Sequence, residues 1–193
     1  MKPAERIAVL LLPLLLVALP LRAATGFPPG WSGGGRAQDY QFGTDAMEGA
    51  TGKQAAYIKA KASAADDGYG SMTQCIKADN YIGQRLRFAA RLKSVNAGAA
   101  RVWMRVDGPR PADGTPPRAL AFYNMGDNPI RGTADWQRVE VVLDVPKGSA
   151  VICYGFLLTG KGEAWADGLS LNKVGPDVAV SRMPDAINLG FNR

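Results

Sequence analysis

The sequence predicts an all-β protein, an antiparallel β-sandwich of about nine strands, and three observations lead there. Apolar and polar residues alternate over short runs, as they do when successive strand positions point to opposite faces. Residues that break regular structure stand between those runs. No stretch has the apolar spacing of an amphipathic helix.

The runs fall at 40–44, 55–61, 71–77, 85–94, 101–107, 119–125, 137–145, 151–159 and 163–172. Between them stand Asp66-Asp67-Gly68, Asn80 with Gly83, Asn96 with Gly98, Gly108-Pro109, Pro146 with Gly148, and Gly160-Lys161-Gly162. Such residues adopt left-handed φ or bond their own backbone, and so favour turns. In 85–93 the alternation sends Leu86, Phe88 and Leu92 inward; in 137–145 the odd positions go inward. The run 151–158 is apolar on both faces, as in a central strand, one that can lie beneath a binding surface.

At the N-terminus Lys2 and Arg6 precede an almost wholly apolar run over 7–21, and the small residues Ala23 and Ala24 follow. That layout predicts a signal peptide over 1–24, cut after Ala23 or Ala24, with an uncleaved anchor as the alternative. The run is too short, and too interrupted by Pro13 and Pro20, for a comfortable membrane span. No Cys follows it to carry a lipid. A periplasmic or secreted destination is therefore expected, with no stable membrane insertion after cleavage. Residues 25–38 read as a Gly/Pro-rich linker with Trp31 as an isolated anchor. The sandwich then covers 39–174. The tail 175–193 has no period, and either packs back through Ile187, Leu189 and Phe191 or moves freely.

About 169 residues remain after the leader, enough for one domain with a sizeable core. Lys2, Arg6 and Arg22 against Glu5 account for +2 of the formal +6 charge. The remainder is scattered without a basic run, so no nucleic-acid partner is indicated. The chain has no histidine. That removes the commonest general base, the usual Ser and Cys triads and most zinc sites. Gly33-Gly34-Gly35 lacks the Lys-Ser/Thr of a phosphate loop. Cys75 and Cys153 each fall in a predicted strand; an oxidising compartment permits a disulfide between them, and two buried thiols are the alternative.

The candidate site is the row Trp103, Arg105 and Asp107, which period-two geometry puts on one face while Val102, Met104 and Val106 line the core. Tyr123 or Asn124 is expected to add a second stripe, and Gln74 or Tyr154 a third. Aromatic rings stack on the C–H face of a sugar, and Arg, Asp, Asn and Gln bind its hydroxyls. The structural alternative is a charge network between Arg105 and Asp107, with Trp103 capping the core edge and Asn124 serving loop backbone groups. Trp136 and Trp165 stand in strands of strong core pattern and read as packing.

Several ordered elements carry a resemblance. They are D-Y-Q-F-G at 39–43, Gly52-Lys53 before Ala55-Ala56-Tyr57, W-M-R-V-D-G at 103–108, A-F-Y-N-M at 121–125, P-I-R-G-T-A-D-W-Q at 129–137, V-V-L-D-V-P at 141–146 and G-K-G-E-A-W-A-D at 160–167. Over roughly residues 39–172 the chain resembles a small sandwich domain of secreted bacterial proteins, also appended to some proteins labelled AraC-type transcriptional regulators. The resemblance implies a galactose-binding-like jelly roll akin to carbohydrate-binding modules. It implies no established activity, and no helix-turn-helix is present to support the regulator label. Sandwiches of this class often hold a structural calcium near the last strand. Relatives have Asp where this chain has Tyr123, and a second acidic residue where it has Gly168, which leaves Asp167 as the one candidate ligand; no other cofactor is implied.

These readings converge on an exported, non-catalytic module for a glycan or similar polar ligand. The alternative is an envelope interaction or scaffold domain without a small ligand, for which a protein partner is open. A carboxylate-pair glycosidase or lyase would need two acids across a cleft, and Asp107 with Asp127 is the pair to inspect.

Overall fold

The computed structural model describes residues 24–46, 49–51 and 54–182. Ten strands occur in the order β1 (Ala24–Thr25), β2 (Ser32–Gly35), β3 (Tyr40–Asp45), β4 (Ala55–Ala60), β5 (Tyr69–Lys77), β6 (Arg85–Asp107), β7 (Ala119–Tyr123), β8 (Ile130–Asp144), β9 (Val151–Thr159) and β10 (Glu163–Val174). Two 3-10 turns, Ala37–Asp39 and Asp79–Tyr81, are the only helical segments among the described residues. None of this is a helix long and apolar enough to cross a membrane.

Every strand pairing is antiparallel, and β6 organises them. Its first half pairs with β10 on one side and β8 on the other; its second half pairs with β9 and β7. One sheet therefore runs β1-β3-β4-β10-β6-β8 and the other β2-β5-β9-β6-β7. Residues 94–100 carry the chain from one sheet into the other. There the register with β8 shifts repeatedly, and Asn96 takes φ 49°. Bulges and bends of this kind are how a strand turns a sandwich corner. Asn96 and Gly98, which predict a turn between two strands, instead supply this corner, and the predicted runs 85–94 and 101–107 are one strand of 23 residues.

A single core lies between the sheets. Tyr40, Ile58, Leu86, Phe88 and Leu92 from the first sheet meet Met72, Val102, Met104, Val106, Ile152, Phe156 and Leu158 from the second. The rings of Phe88 and Tyr154 touch across the layers at 5.0 Å between centroids. The inward positions expected for β6 hold, with Leu86, Phe88 and Leu92 buried, as do Val139, Val141, Leu143 and Val145 in and just after β8. β9 lies between β6 and β5, as its two apolar faces predict.

The segment expected to be a linker is folded. β1 pairs with β3, and β2 forms the edge of the second sheet against β5. Phe27 packs on Phe42 at 4.8 Å, and Trp31 meets Tyr154 edge-on at 6.3 Å. Its glycines serve the sheet rather than flexibility: Gly35 has φ +68°, and a Cβ there would fall 2.4 Å from the Tyr69 carbonyl oxygen. At the other end, Arg85 grips Asp144 and donates to the carbonyls of Pro176 and Val178, while Ser181 bonds Val142. Residues 175–182 thus pack along β8. The expected signal peptide over 1–24, Ala24 excepted, and the tail residues Ile187, Leu189 and Phe191 lie outside the described residues.

Candidate functional site

The outer face of the second sheet carries a groove of about 500 Å³. Strand parity and register fill it: β6 contributes Arg101, Trp103, Arg105 and Asp107, β9 contributes Cys153, Leu157 and Thr159, and β5 contributes Tyr69, Ser71 and Thr73. Phe122 and Asn124 close it on the β7 side, and Gly34 and Gly35 of β2 on the other.

Trp103 is half-buried, and its indole N–H donates to the Ser71 hydroxyl at 3.1 Å. Ser71 stands on β5, and β9 separates β5 from β6, so the indole must lie across β9. The residue opposite Trp103 on β9 is Gly155, which presents no side chain to obstruct it. Ser71 in turn shares a hydrogen bond with Thr73 at 2.9 Å. The ring is held at both its root and its tip, which suits a stacking platform.

The two arginines of the row differ. Arg105 donates from Nε to Asp107 at 2.7 Å and from Nη2 to the Pro117 carbonyl at 3.2 Å, which neutralises it and orients it. Arg101 has no ion pair among the described residues. Its Nε is fully buried without a hydrogen-bond partner. Burial, and then the nearby cation of Arg131, hold the Arg101 pKa below the usual guanidinium range.

Trp103, Arg105, Asp107 and Asn124 therefore meet in one groove, as the sequence predicts. Two other expected members do not. Tyr123 stands opposite Met104 on β7, so it shares the inward face and packs against the core; its neighbour Phe122, opposite Arg105 and 53% exposed, takes the groove position. Gln74 has the parity of Met72 rather than of Ser71 and Thr73. It accepts from the Tyr154 hydroxyl on the inner side of the sheet, and Tyr154 itself is core. Arg101 was legible in principle, because it belongs to the same odd-numbered row as Trp103. Tyr69, Ser71, Thr73 and Phe122 needed the cross-strand register.

Cys75 and Cys153 face one another across β5 and β9 and form a disulfide, with Cα atoms 4.1 Å apart. The bridge lies on the groove side of the sheet rather than in the core, and Cys153 lines the groove.

Tyr123 has a measurable consequence of its own. Its hydroxyl donates to Asp127 at 2.5 Å, and burial followed by that carboxylate push its pKa up to about 12 from the ordinary 10. A raised phenol pKa favours the fold fully below pH 10, and the contribution is lost as pH climbs through 10 to 12. Denaturant melts at stepped pH should show wild type more stable than Tyr123→Phe at pH 9, with the gap closing by pH 12. A constant gap would contradict the assignment. Asp127 is thereby engaged with Tyr123 and is not among the groove's lining residues, so the structure does not bring Asp107 and Asp127 together on the groove.

Asp167 is buried and accepts from the Thr51 N–H and hydroxyl, both at 2.8 Å, and from the Gly168 N–H at 2.6 Å. Calcium needs six or more oxygen ligands. Two of the donors aimed at this carboxylate are backbone N–H groups, and no group of three acidic or sulfur ligands exists among the described residues. Among the described residues the arrangement is a structural clasp between 49–51 and β10. On the first sheet's outer face, Trp165 is enclosed by Tyr57 at 5.1 Å, by the Lys59 ammonium at 4.6 Å and by Glu163, which accepts its N–H; Trp136 packs beside this cluster. The packing expected of those two indoles holds.

Comparison of the backbone with solved structures places this architecture. A family 30 carbohydrate-binding module aligns with a TM-score of 0.53 over 79% of this chain and 95% of its own, at 12% identity. The C-terminal family 22 module of Clostridium thermocellum Xyn10B aligns at 0.51 over 82% and 96%, with 11% identity. The family 22 xylan-binding domain of Paenibacillus barcinonensis Xyn10C aligns at 0.50 over 79% and 93%, with 14% identity. The chain is a jelly-roll β-sandwich of the kind found in carbohydrate-binding modules. At such identities the likeness is one of fold. No protein-family model matches the sequence. Among curated proteins, an uncharacterised HTH-type transcriptional regulator of Bacillus subtilis, YbfP, is 35% identical over 160 residues, which is 79% of this chain. The chain spans about half the length of that relative, 52%. A jelly roll accounts for all the described residues, and they hold no helix beyond the two three-residue turns.

Proposed function

We propose that this protein is an exported, non-catalytic module that binds a glycan along the groove of the second sheet. The observation that carries the reading is the held indole of Trp103, lying across β9 with the groove open to it and hydrogen-bonding groups on both flanks. A pyranose presents an apolar C–H face to such a ring, while Arg105, Asp107, Asn124 and Thr73 offer donors and acceptors for its hydroxyls. A rigid sheet keeps these groups at fixed spacing before ligand arrives, so little ordering is needed on binding. Xylan binding, named for the Paenibacillus domain on the same fold, supports a polysaccharide ligand class. Export rests on the signal-peptide layout of residues 1–24, and the disulfide is consistent with an oxidising compartment. The regulator name of the Bacillus relative is not carried over to this reading, because the chain spans 52% of that relative and the described residues hold no helix-turn-helix.

A glycan array probed with the purified protein, with hits titrated by calorimetry, tests this. Binding to one glycan class, weakened by substitutions at Trp103 and Phe122 and not by substitutions at Trp136, is expected. Binding that is insensitive to Trp103, or absent across neutral and charged glycans alike, would overturn the reading.

A further inference from the structure

We propose that the ligand of this groove is an anionic glycan, and that Arg101 is the residue that takes its anion. The inference rests on the glycan-binding reading above and adds the charge of the ligand to it.

Arg101 is the observation. It projects from the same face of β6 as Trp103, two residues away, which on a strand is about 7 Å. Charged side chains are rarely buried unless paired, because removing the charge from water costs several kcal/mol that only a partner offsets. A long side chain ordinarily avoids this by laying its stem on apolar surface and keeping its head in solvent. Here the Nε is itself sealed from solvent and donates to nothing. The charge that acts on it is another cation, Arg131, whose Nη1 donates to the Gly98 carbonyl. No carboxylate among the described residues answers either of them at this end of the groove. Asp107, the one acid lining the groove, is occupied by Arg105.

The groove is therefore polar in a specific sense. At the Arg105 end, charge is balanced within the protein, and what remains are hydrogen-bonding groups suited to hydroxyls. At the Arg101 end, a partly buried guanidinium has no counter-charge among the described residues, with the Thr159 side chain and the exposed ring of Tyr69 lining the groove there. A sugar stacked on Trp103 places its own exocyclic group, or that of the next sugar, within reach of Arg101. A guanidinium in low-dielectric surroundings binds carboxylate or sulfate through charge-assisted, often bidentate hydrogen bonds. Uronic acids and sulfated sugars both supply such a group.

Four oligosaccharide probes decide it: a galacturonic acid oligomer, the same oligomer fully methyl-esterified, a sulfated oligosaccharide and a neutral xylo-oligosaccharide. The ester keeps the shape and removes the charge. Wild type should bind an acidic probe about tenfold or more tightly than its neutral counterpart, and whichever acidic probe binds better identifies carboxylate or sulfate as the source. Arg101→Gln should abolish that preference. Arg91→Gln makes the same charge change at an exposed position of the first sheet, where β6 pairs with β8 and β10, and should retain it. Because Gln replaces a partly buried cation that has no ion pair among the described residues, Arg101→Gln should also melt close to the wild-type temperature. Equal affinity for acid and ester, a preference that survives Arg101→Gln, or one lost equally in Arg91→Gln would overturn the inference while leaving a neutral-glycan groove intact. Failure of all four probes to bind would remove both it and the glycan reading.

Discussion

Gly155→Val is expected to cost about 3 kcal/mol or more of folding stability, a large share of the 5–15 kcal/mol that ordinarily separates folded from unfolded chains. β9 and β5 approach so closely at this residue that a Cβ would lie 2.0 Å from the Met72 carbonyl oxygen and 3.2 Å from the Thr73 Cα. These are backbone atoms within a ladder of nine paired positions, so they cannot swing aside as a side-chain end could. Separating the strands would break ladder hydrogen bonds and would also strain the pairing at Cys75 and Cys153, two residues along. In a domain of this size the loss corresponds to a fall in Tm of roughly 6–12 °C. Gly34→Ala is the matched control on the same sheet. Its Cβ would meet Ser71 at an ordinary 3.5 Å, and Gly34 does not have positive φ, so stability should change by less than about 1 kcal/mol. Thermal melts of both variants with the disulfide intact check the pair. A Gly155→Val protein that melts with wild type would show that β5 and β9 are not paired in this register.

The second large effect is on binding. Trp103→Ala should weaken the best glycan by about 2 kcal/mol or more, roughly 30-fold in Kd, the range seen when a central aromatic anchor is truncated. The cost in stability should be smaller, about 1–2 kcal/mol, because the indole is only half-buried. Ser71→Ala separates holding the ring from being the ring. It removes the acceptor of the indole N–H without touching the stacking surface, so a modest affinity loss is expected. Calorimetric titrations beside thermal melts distinguish the two contributions. Trp103→Ala unfolding outright would identify the indole as core instead.

Much of this architecture was legible in the sequence because strand alternation is local. Leu86, Phe88 and Leu92 go inward for the same reason that Trp103, Arg105 and Asp107 stay together: two residues along a strand return to the same face. What was not legible depended on relations between strands. Whether Phe122 or Tyr123 joins the Trp103 face is decided by the register of β7 against β6, which passes a bulge between Val106 and Asp107 after a long loop. A one-residue slip exchanges the two faces. Gln74 was misplaced for the same reason, since its parity on β5 is set by pairing with β9. Asn96 and Gly98 carry turn chemistry that the fold uses to bend a continuous strand between sheets rather than to end it. The glycine-rich segment before β3 looked like a linker by composition, yet Gly35 is required there by its close approach to Tyr69.

The most direct measurement follows the four indole N–H signals in a ¹H–¹⁵N spectrum during titration with the tightest glycan from the array. The Trp103 signal should shift progressively and saturate with the calorimetric Kd, while those of Trp136 and Trp165 on the first sheet stay in place. Saturable shifts at Trp165 and Trp136 with Trp103 unmoved would place the ligand on the wrong sheet and contradict the groove as the binding site.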